Sequence, residues 1–179
     1  MSEAVAYAHG WRPGVIGEIV RLHGLVYAKE WGLGAIFEAK VAAGLGAFLQ
    51  SYDPAVSRLF TAHSDDRVVG ALAIEGPAAR DRGGAARLRW FILAEEARGR
   101  GIGKTLMQTG MDFLADTHCA SCYLTTCAGL DSARALYERH GFHRVNGGEL
   151  ARPRLSLYES QFRHEKIGSE AAALAPWQS

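Results

Sequence analysis

The spacing of apolar residues changes along the chain from helical to strand-like and back, and this alternation predicts the order of elements. Between Gly14 and Gly32 apolar residues recur about every three to four positions, which is typical of an amphipathic helix. The same spacing predicts helices over 35–50, about 101–117 and 132–139. Shorter apolar runs predict strands over 5–8, 58–63, 68–74, 88–93, 123–126, 142–145 and 155–162.

The resulting order, β-α-α-β-β-β-α-β-α-β-β, favours an α/β domain with helices on both faces of a mixed sheet of about six to seven strands, mostly antiparallel. Hairpins make the first half antiparallel, and the helix that begins near Gly101 is a crossover that makes the middle parallel. Residues 1–163 are predicted to form a single domain, and 164–179 a C-terminal tail. The stretch 76–84, rich in Gly, Pro and charge, is predicted to be a loop.

Composition narrows the class of protein. Apolar residues are 48% and charged residues 22% of the 179 positions, as in ordinary globular proteins. The formal net charge of +1, with Lys and Arg scattered, indicates no nucleic-acid partner. No apolar run approaches the ~18 residues of a transmembrane helix, and residues 1–10 lack the pattern of a secretory signal. We therefore expect a cytoplasmic protein with no membrane partner.

The three cysteines of the chain, Cys119, Cys122 and Cys127, are candidates for a metal or redox site. Cys119-x-x-Cys122 has His118 beside it, but a zinc site normally needs a second pair of ligands at a distance, and the sequence offers none. The favoured interpretation is small apolar side chains on or near a buried strand, kept as reduced thiols, with no metal.

The stretch from Arg98 to Lys104 contains three glycines and lies between a predicted strand and a predicted helix. Glycines let the backbone approach a ligand closely, and the free N–H groups at a helix start attract anions. Arg98, Arg100 and Lys104 add charge that suits a phosphate. The spacing excludes a nucleotide P-loop, which needs glycine at position 98, and it also differs from the dinucleotide fingerprint G-x-G-x-x-G.

Arg98, Gly101 and Gly103 do match R/Q-x-x-G-x-G/A, and through this pattern the chain resembles the GNAT acetyltransferases. A second stretch, Ala133 to Phe142, is similar to the family's A-x-x-L-Y-E-x-x-G-F and stands at the expected distance downstream. The predicted order of elements is also similar to that of the family along roughly residues 5–162.

The resemblance implies an acetyl-CoA-dependent N-acetyltransferase that uses no metal and acts on a primary amine of a small molecule or a protein, by direct attack in a ternary complex. In this family two parallel strands diverge to admit the pantetheine arm, here 88–93 and 123–126, and the backbone N–H of Leu93 is implied to stabilise the oxyanion. The implied cofactor-binding residues are Ile92, Leu93, Arg98, Gly99, Arg100, Gly101, Ile102, Gly103, Lys104 and Tyr137. More closely, residues 11–14 and 23–27 resemble GNAT domains fused to MarR-type regulators.

Tyr137 matches the tyrosine that the family often uses to protonate the leaving thiolate; the alternative is a helix aromatic that packs on the sheet. The base is open. Glu75, at the end of a strand expected to face the cleft, is one candidate, and Glu30, Glu38 and His23 are others, each with an ordinary structural role as its alternative. The acceptor pocket is expected to involve His23, Tyr27, Glu30, Trp31 and Trp90.

Two positions depart from the family pattern. Leu130 stands where many members have an Asn that contacts the cofactor arm, and Glu95 stands where proline is common. Because the general base is also unassigned, these departures leave a second function as an alternative. That function is a non-catalytic acyl-CoA-binding sensor or interaction module. Members often dimerise through their last strands, and a homodimer is expected here, helped by the apolar Leu155, Leu157 and Tyr158.

Overall fold

The computed structural model describes residues 4–78, 84–127, 130–146 and 159–165, and over these ranges the elements follow the predicted order. The helices are α1 (Val15–Trp31), α2 (Ala35–Gln50), α3 (Ile102–Asp116) and α4 (Asp131–Arg139). The strands are β1 (Ala6–His9), β2 (Arg58–Ser64), β3 (Arg67–Glu75), β4 (Ala85–Leu93), β5 (Ser121–Cys127), β6 (His143–Asn146) and β7 (Glu159–Glu165). A short 3₁₀ turn, Glu95–Ala97, follows β4.

The described strands form one mixed sheet in the order β1-β2-β3-β4-β5-β7-β6. Its pairs are antiparallel except for β4 with β5, which are parallel because α3 is the crossover between them. The predicted α/β fold with a mixed, mostly antiparallel sheet is confirmed.

The end of the chain differs from the prediction. Strand β7 runs over Glu159–Glu165 because its pairing with β5 continues as far as Ser121 opposite Glu165. The last strand therefore includes two residues assigned to the tail. Residues 155–158 and 166–179 lie outside the described part of the chain, as do 79–83 of the predicted loop.

The helices cover both faces of the sheet. Helices α1 and α2 pack against each other and against one face, while α3 and α4 pack on the other. Glycines set the close approach of α3: a Cβ at Gly110 would lie 2.9 Å from Leu72 Cδ2, and one at Gly70 would lie 3.1 Å from Leu106 Cδ1. The core fills both sides of β3, whose residues from Val68 to Ile74 are buried.

Cys119 and Cys122 are buried, as the apolar interpretation predicts. Burial raises the pKa of the Cys122 thiol to about 12, so it resists conversion to the thiolate that metal binding and redox chemistry need. The side chain of Cys127 lies outside the described residues.

Candidate functional site

Strands β4 and β5 pair only at their first residues. The parallel register joins 85–87 to 121–123, and beyond this point the two described strands diverge. A cavity of about 580 Å³ opens there, lined by residues of α1, α2, β4, β5 and α4. Its volume lies in the range of small-molecule sites, roughly 300–1,000 Å³.

A β-bulge distorts β4 beside this cavity. The register with β3 shifts so that Trp90 and Phe91 of β4 face the single Leu72 of β3. Trp90 has a φ of 49°, a left-handed conformation that costs a non-glycine residue roughly 1–2 kcal/mol. Bulges bend a strand and re-aim its side chains. No pattern in the sequence indicates this one, because its position depends on the pairing of β4 with β3.

The backbone of Leu93 faces the cavity. The N–H of Ala94 donates to the carbonyl of Val69 at 2.8 Å, one position beyond the facing pair Gly70 and Leu93. In an antiparallel ladder this arrangement makes Gly70 and Leu93 a pair whose own N–H and C=O groups point away from each other. The N–H and C=O of Leu93 therefore point toward the side where β5 has diverged.

By the same alternation the next pair, Ala71 and Ile92, exchanges its hydrogen bonds within the sheet. This corrects the expectation that the backbone of Ile92 is open to a ligand: Ile92 lines the cavity, but its backbone groups are directed to β3. The side chain of Leu93 packs on the face of the sheet that α3 covers. A Cβ added at Gly70 would lie 2.7 Å from one of its methyl carbons, and a Cβ added at Gly103 would lie 3.0 Å from the other.

The glycine turn, residues 98–104, leaves open space above its backbone. Gly99 and Gly101 have φ angles of 71° and 80°, and a Cβ at either position would have no neighbour within 4 Å. Gly101 is the N-cap of α3 and provides no side-chain cap, so backbone N–H groups of the first turn of α3 are left for a ligand. Ile102 and Gly103 are buried and anchor the turn, while Lys104 is exposed.

Arg98, the residue expected at a phosphate, reaches across to α1. Its Nη1 lies 2.6 Å from Glu30 Oε1, and its Nη2 donates to the carbonyl of Leu93 at 3.4 Å. A second ion pair, Lys29 with Glu95, joins the same two segments. The C-terminal end of α1 is thus tied to the segment that contains the glycine turn.

His23 is buried on α1 and lines the cavity. Its Nδ1 donates to the carbonyl of Ile19 at 2.9 Å, and burial lowers its pKa from 6.5 to about 4. The imidazole is therefore neutral at pH 7 and a weak base. This corrects the expectation that His23 has the natural pKa that suits proton transfer near neutrality.

Aromatic side chains cover the side of the cavity formed by α1, α2 and β4. The aromatic wall consists of Tyr27, Phe37 and Trp90, all of which line the cavity, and Trp31 lines it as well. The ring centroids of Tyr27 and Phe37 are 4.5 Å apart. Trp90 packs edge-on against Phe48 at 5.5 Å, so part of this wall continues into the core.

The position of Tyr137 is compatible with both predicted roles, a proton donor to the leaving thiolate and a helix aromatic that packs on the sheet. It is 5% exposed, with its ring centroid 5.8 Å from that of Phe91 and 6.1 Å from that of Phe142, and it also lines the cavity. Leu130, at the N-cap of α4, lines the cavity too, at the position where the family often has Asn.

The remaining carboxylate candidates lie outside the cavity lining. Glu75, expected to face the cleft, is held at the end of β3 by Arg89, whose Nη1 donates to Glu75 Oε2 at 2.9 Å. Arg89, to which Glu75 is hydrogen-bonded, lines the cavity, so Glu75 lies behind Arg89 on the same face of the sheet. Glu38 packs over Gly24 of α1, where a Cβ would lie 2.5 Å from its Oε2.

The structure thus brings most of the predicted site residues around one cavity. The lining includes Ile92, Leu93, Arg98, Gly99, Tyr137, His23, Tyr27, Glu30 and Trp31. The rest of the glycine turn continues from Gly99 into α3 just outside this lining: Arg100, Gly101, Ile102, Gly103 and Lys104. Sequence reasoning missed Phe37, Lys40 and Arg89, although the helical spacing of Phe37 and Lys40 does place them on one face of α2.

Within the described ranges, no group of three or more His, Cys, Asp or Glu side chains is placed to hold a metal ion. Among the same residues, no helix has the length and apolarity needed to cross a bilayer.

Comparison with known proteins identifies the class to which this fold and cavity belong. The profile of the acetyltransferase (GNAT) family matches residues 26–142, more than half of the chain. The chain therefore belongs to the GNAT family.

Individual relatives agree with this assignment. The chain is 34% identical over 94 residues to human N-acetyltransferase 8B, a match that covers 50% of this chain and 40% of that protein. A GNAT acetyltransferase from Staphylococcus aureus Mu50 superposes with a TM-score of 0.70 at 16% identity, over 90% of this chain and 99% of the other. The NatC complex bound to Gag peptide and CoA also matches, with a TM-score of 0.70 at 16% identity over 91% and 99% of the two chains. At such identities the structural matches show the fold alone.

Proposed function

We propose that this protein transfers an acetyl group from acetyl-CoA to a primary amine by direct attack within a ternary complex. The observation that carries the proposal is the divergence of β4 and β5 beside the glycine turn, with the N–H of Leu93 directed into the gap. Membership of the GNAT family and the CoA bound to the NatC complex support the same donor.

The residues present fit acetyl-CoA. The diverged edge of β4 offers backbone groups to an extended amide-containing chain, as an added strand would use them. At the glycine turn, open space above Gly99 and Gly101 and the uncapped start of α3 suit a pyrophosphate. Arg100 and Lys104 would add positive charge to that end, and Arg98 would contribute a further guanidinium N–H while its Nη1 stays paired with Glu30.

When bound, acetyl-CoA supplies an acetyl thioester, which an amine attacks to form the N–C bond as the C–S bond breaks. The N–H of Leu93 would hold the carbonyl oxygen on which negative charge develops. The phenol of Tyr137 would donate its proton to the departing sulfur, from a ring fixed by Phe91 and Phe142, and the proton that the attacking nitrogen loses would restore the phenol directly or through water. Residues of the two helices before β2 would orient the amine.

Two observations favour a second candidate, an acyl-CoA-binding module without catalysis. His23 is a weak base because burial lowers its pKa to about 4, and Glu75 is paired with Arg89 outside the cavity lining. An amine that reaches the cavity already neutral needs no base before it attacks, and the proton that its nitrogen loses afterwards can pass to the Tyr137 phenolate directly or through water. Turnover of acetyl-CoA with any amine excludes this candidate.

The homodimer, the cytoplasmic location and the closer resemblance to GNAT domains fused to MarR-type regulators stay predictions from the sequence.

Calorimetric titration with acetyl-CoA tests the cofactor site. The Gly101→Val variant forces a β-branched residue into a conformation with φ of 80° and should bind acetyl-CoA at least about 100-fold more weakly, because the turn must rearrange. Gly10→Val is the matched control, since Gly10 has a φ of 84° and equally open space but follows β1. Absence of binding by the unmodified protein, or equal losses in both variants, would contradict the proposal.

A further inference from the structure

Two cationic side chains line the α2 side of the cavity. A Cβ at Gly44 would be 3.1 Å from Arg89 Nη2, which places this guanidinium against α2. Lys40 is four residues before Gly44 and hence on the same face of the helix, one turn away. Both Lys40 and Arg89 line the cavity. They form what we term the cationic pair.

The charge of the cationic pair is only partly compensated. Arg89 Nη1 donates to Glu75, and the other donors of this guanidinium have no hydrogen-bond partner among the described residues. Lys40, which is exposed, has no ion-pair partner in the same ranges.

Negative charge in the cavity is scarce. Glu30 is the one acidic residue in the described lining, and Arg98 already holds its carboxylate at 2.6 Å. A ligand with a second ammonium group would meet Lys40 and the Arg89–Glu75 ion pair here rather than an unpaired carboxylate. A ligand with an anionic group would find unused donors.

The aromatic wall adjoins the cationic pair. Phe37 precedes Lys40 by one helical turn and contacts Tyr27, with ring centroids 4.5 Å apart. Trp90 follows Arg89 directly, and the guanidinium carbon of Arg89 lies 4.0 Å from the centroid of the Trp90 ring. The positive side chains are therefore bordered by large apolar surfaces suited to the body of a ligand.

We propose that the acceptor is a small amine that also carries a carboxylate and an apolar or aromatic body, an amino-acid-like compound, a substrate class that rests on the proposed acetyl transfer. The cationic pair binds the carboxylate, the aromatic wall covers the apolar body, and the amine is left directed toward the gap between β4 and β5. Arg89, stacked on Trp90 and tied to Glu75, is the fixed member of the pair. Lys40 is the adaptable one.

Acetyl transfer to matched amines tests this substrate class. The probes are L-phenylalanine, L-methionine and L-leucine, each beside its amide and its decarboxylated amine, with spermidine as a polycation; release of the CoA thiol is the measurement. We expect kcat/KM to be at least about tenfold higher for the best carboxylate-bearing amine than for its analogues without the carboxylate, since charged hydrogen bonds contribute about 1.5–3 kcal/mol. Spermidine should be the poorest acceptor.

The Lys40→Gln variant assigns the preference to the cationic pair. It should lower kcat/KM for the carboxylate-bearing amine about tenfold, mainly through KM, and leave the decarboxylated amine within about twofold. Lys29→Gln is the matched control, because Lys29 is also an exposed helix lysine but pairs with Glu95 outside this cavity lining.

Equal use of amines with and without the carboxylate, or equal loss on both from Lys40→Gln, would overturn the substrate class while leaving acetyl transfer intact. If acetyl-CoA binds but no probe is acetylated, thermal shifts of the CoA-loaded protein with the same probes decide the question. A lack of preference for the carboxylate would then reject it. Failure to bind acetyl-CoA at all is a different result, because it rejects the proposed function.

Discussion

The two ends of the cavity present different kinds of atoms to a ligand. At the glycine turn the open groups belong to the backbone: the N–H groups that begin α3 and the space above Gly99 and Gly101. At the aromatic wall and the cationic pair they belong to side chains, supplied by α1, α2 and β4. A backbone site depends on local conformation, whereas a side-chain site depends on which residues the tertiary fold brings together. We infer that the first end recognises a common donor and that the second selects the acceptor.

The largest expected effect concerns the backbone of Leu93, at the boundary between the two ends. Leu93→Pro removes the N–H that faces the cavity but no hydrogen bond to β3, because Leu93 belongs to a non-hydrogen-bonded pair. We expect kcat to fall by about 10²- to 10³-fold, the usual loss of one oxyanion donor, as measured by steady-state kinetics with saturating acetyl-CoA.

Leu93→Ala separates this effect from packing. The alanine variant loses the side chain that packs against Gly70 and Gly103 but keeps the N–H. It should lower the free energy of unfolding by less than the roughly 2–5 kcal/mol of a fully buried leucine, because Leu93 is only partly buried, with kcat reduced less than about tenfold. If the proline variant is no slower than the alanine variant, the N–H has no role in the reaction.

A smaller effect is expected on stability when the pH is lowered, and it should arise at His23, which lines the cavity. His23 in the folded protein has a pKa of about 4, against 6.5 ordinarily, so the unfolded chain binds more protons between these values. Its contribution to stability is complete above about pH 6.5 and is lost as the pH falls toward 4. We expect the free energy of unfolding to be about 2 kcal/mol lower at pH 5 than at pH 7 from this residue.

Urea unfolding of the protein and of His23→Phe at both pH values measures the contribution, since the difference between the two pH dependences isolates His23. Burial and nearby Arg12 also lower the pKa of His63, which should leave a residual dependence of the same sign in the variant. Identical dependences in the two proteins would show that His23 does not keep a lowered pKa.

The smallest expected effect concerns the shape of the cavity at the aromatic wall and the cationic pair. In Gly44→Ala the new Cβ would lie 3.1 Å from both Arg89 Nη2 and Trp90 Cζ2, so these side chains must shift. We expect KM for the acceptor to rise about fivefold while the Kd for acetyl-CoA stays unchanged, because small misplacements of positioning groups weaken acceptor binding.

Gly46→Ala is the control in the same helix, where a Cβ would have no neighbour within 4 Å. That substitution should stabilise the protein by about 0.5–1 kcal/mol and leave both constants unchanged. A change in acetyl-CoA affinity from Gly44→Ala would mean that the two ends of the cavity are not independent.

The comparison of the two ends also explains which features could be predicted from the sequence. The range 35–50 predicted for α2 agrees with the structure because the helical spacing lies between Gly34 and Ser51, which form its caps. The glycine turn could be recognised because a short segment, between a strand and a helix, forms it. These features follow from neighbours along the chain.

The features that were missed depend on contacts between distant segments. The bulge at Trp90 arises from the register of β4 on β3, and tryptophan gives no sign of a φ of 49°. The pairing of Glu75 with Arg89 depends on the same register, and nothing in the sequence indicated that Arg89 would stand between Glu75 and the cavity. The placement of Lys40 and Arg89 around one cavity required the packing of α2 on the sheet.

The divergence of β4 from β5 also affects how the protein behaves toward other polypeptide chains. An unpaired strand edge in solvent invites strands from neighbouring molecules and so promotes aggregation. The open edge of β4 instead faces a cavity lined by residues of α1, α2 and α4. The gap leaves room for a narrow extended ligand, and the flanking helices restrict how a strand of a second folded protein could align along this edge. The domain can therefore keep a permanently incomplete sheet in its interior without presenting that edge as a template for fibrils.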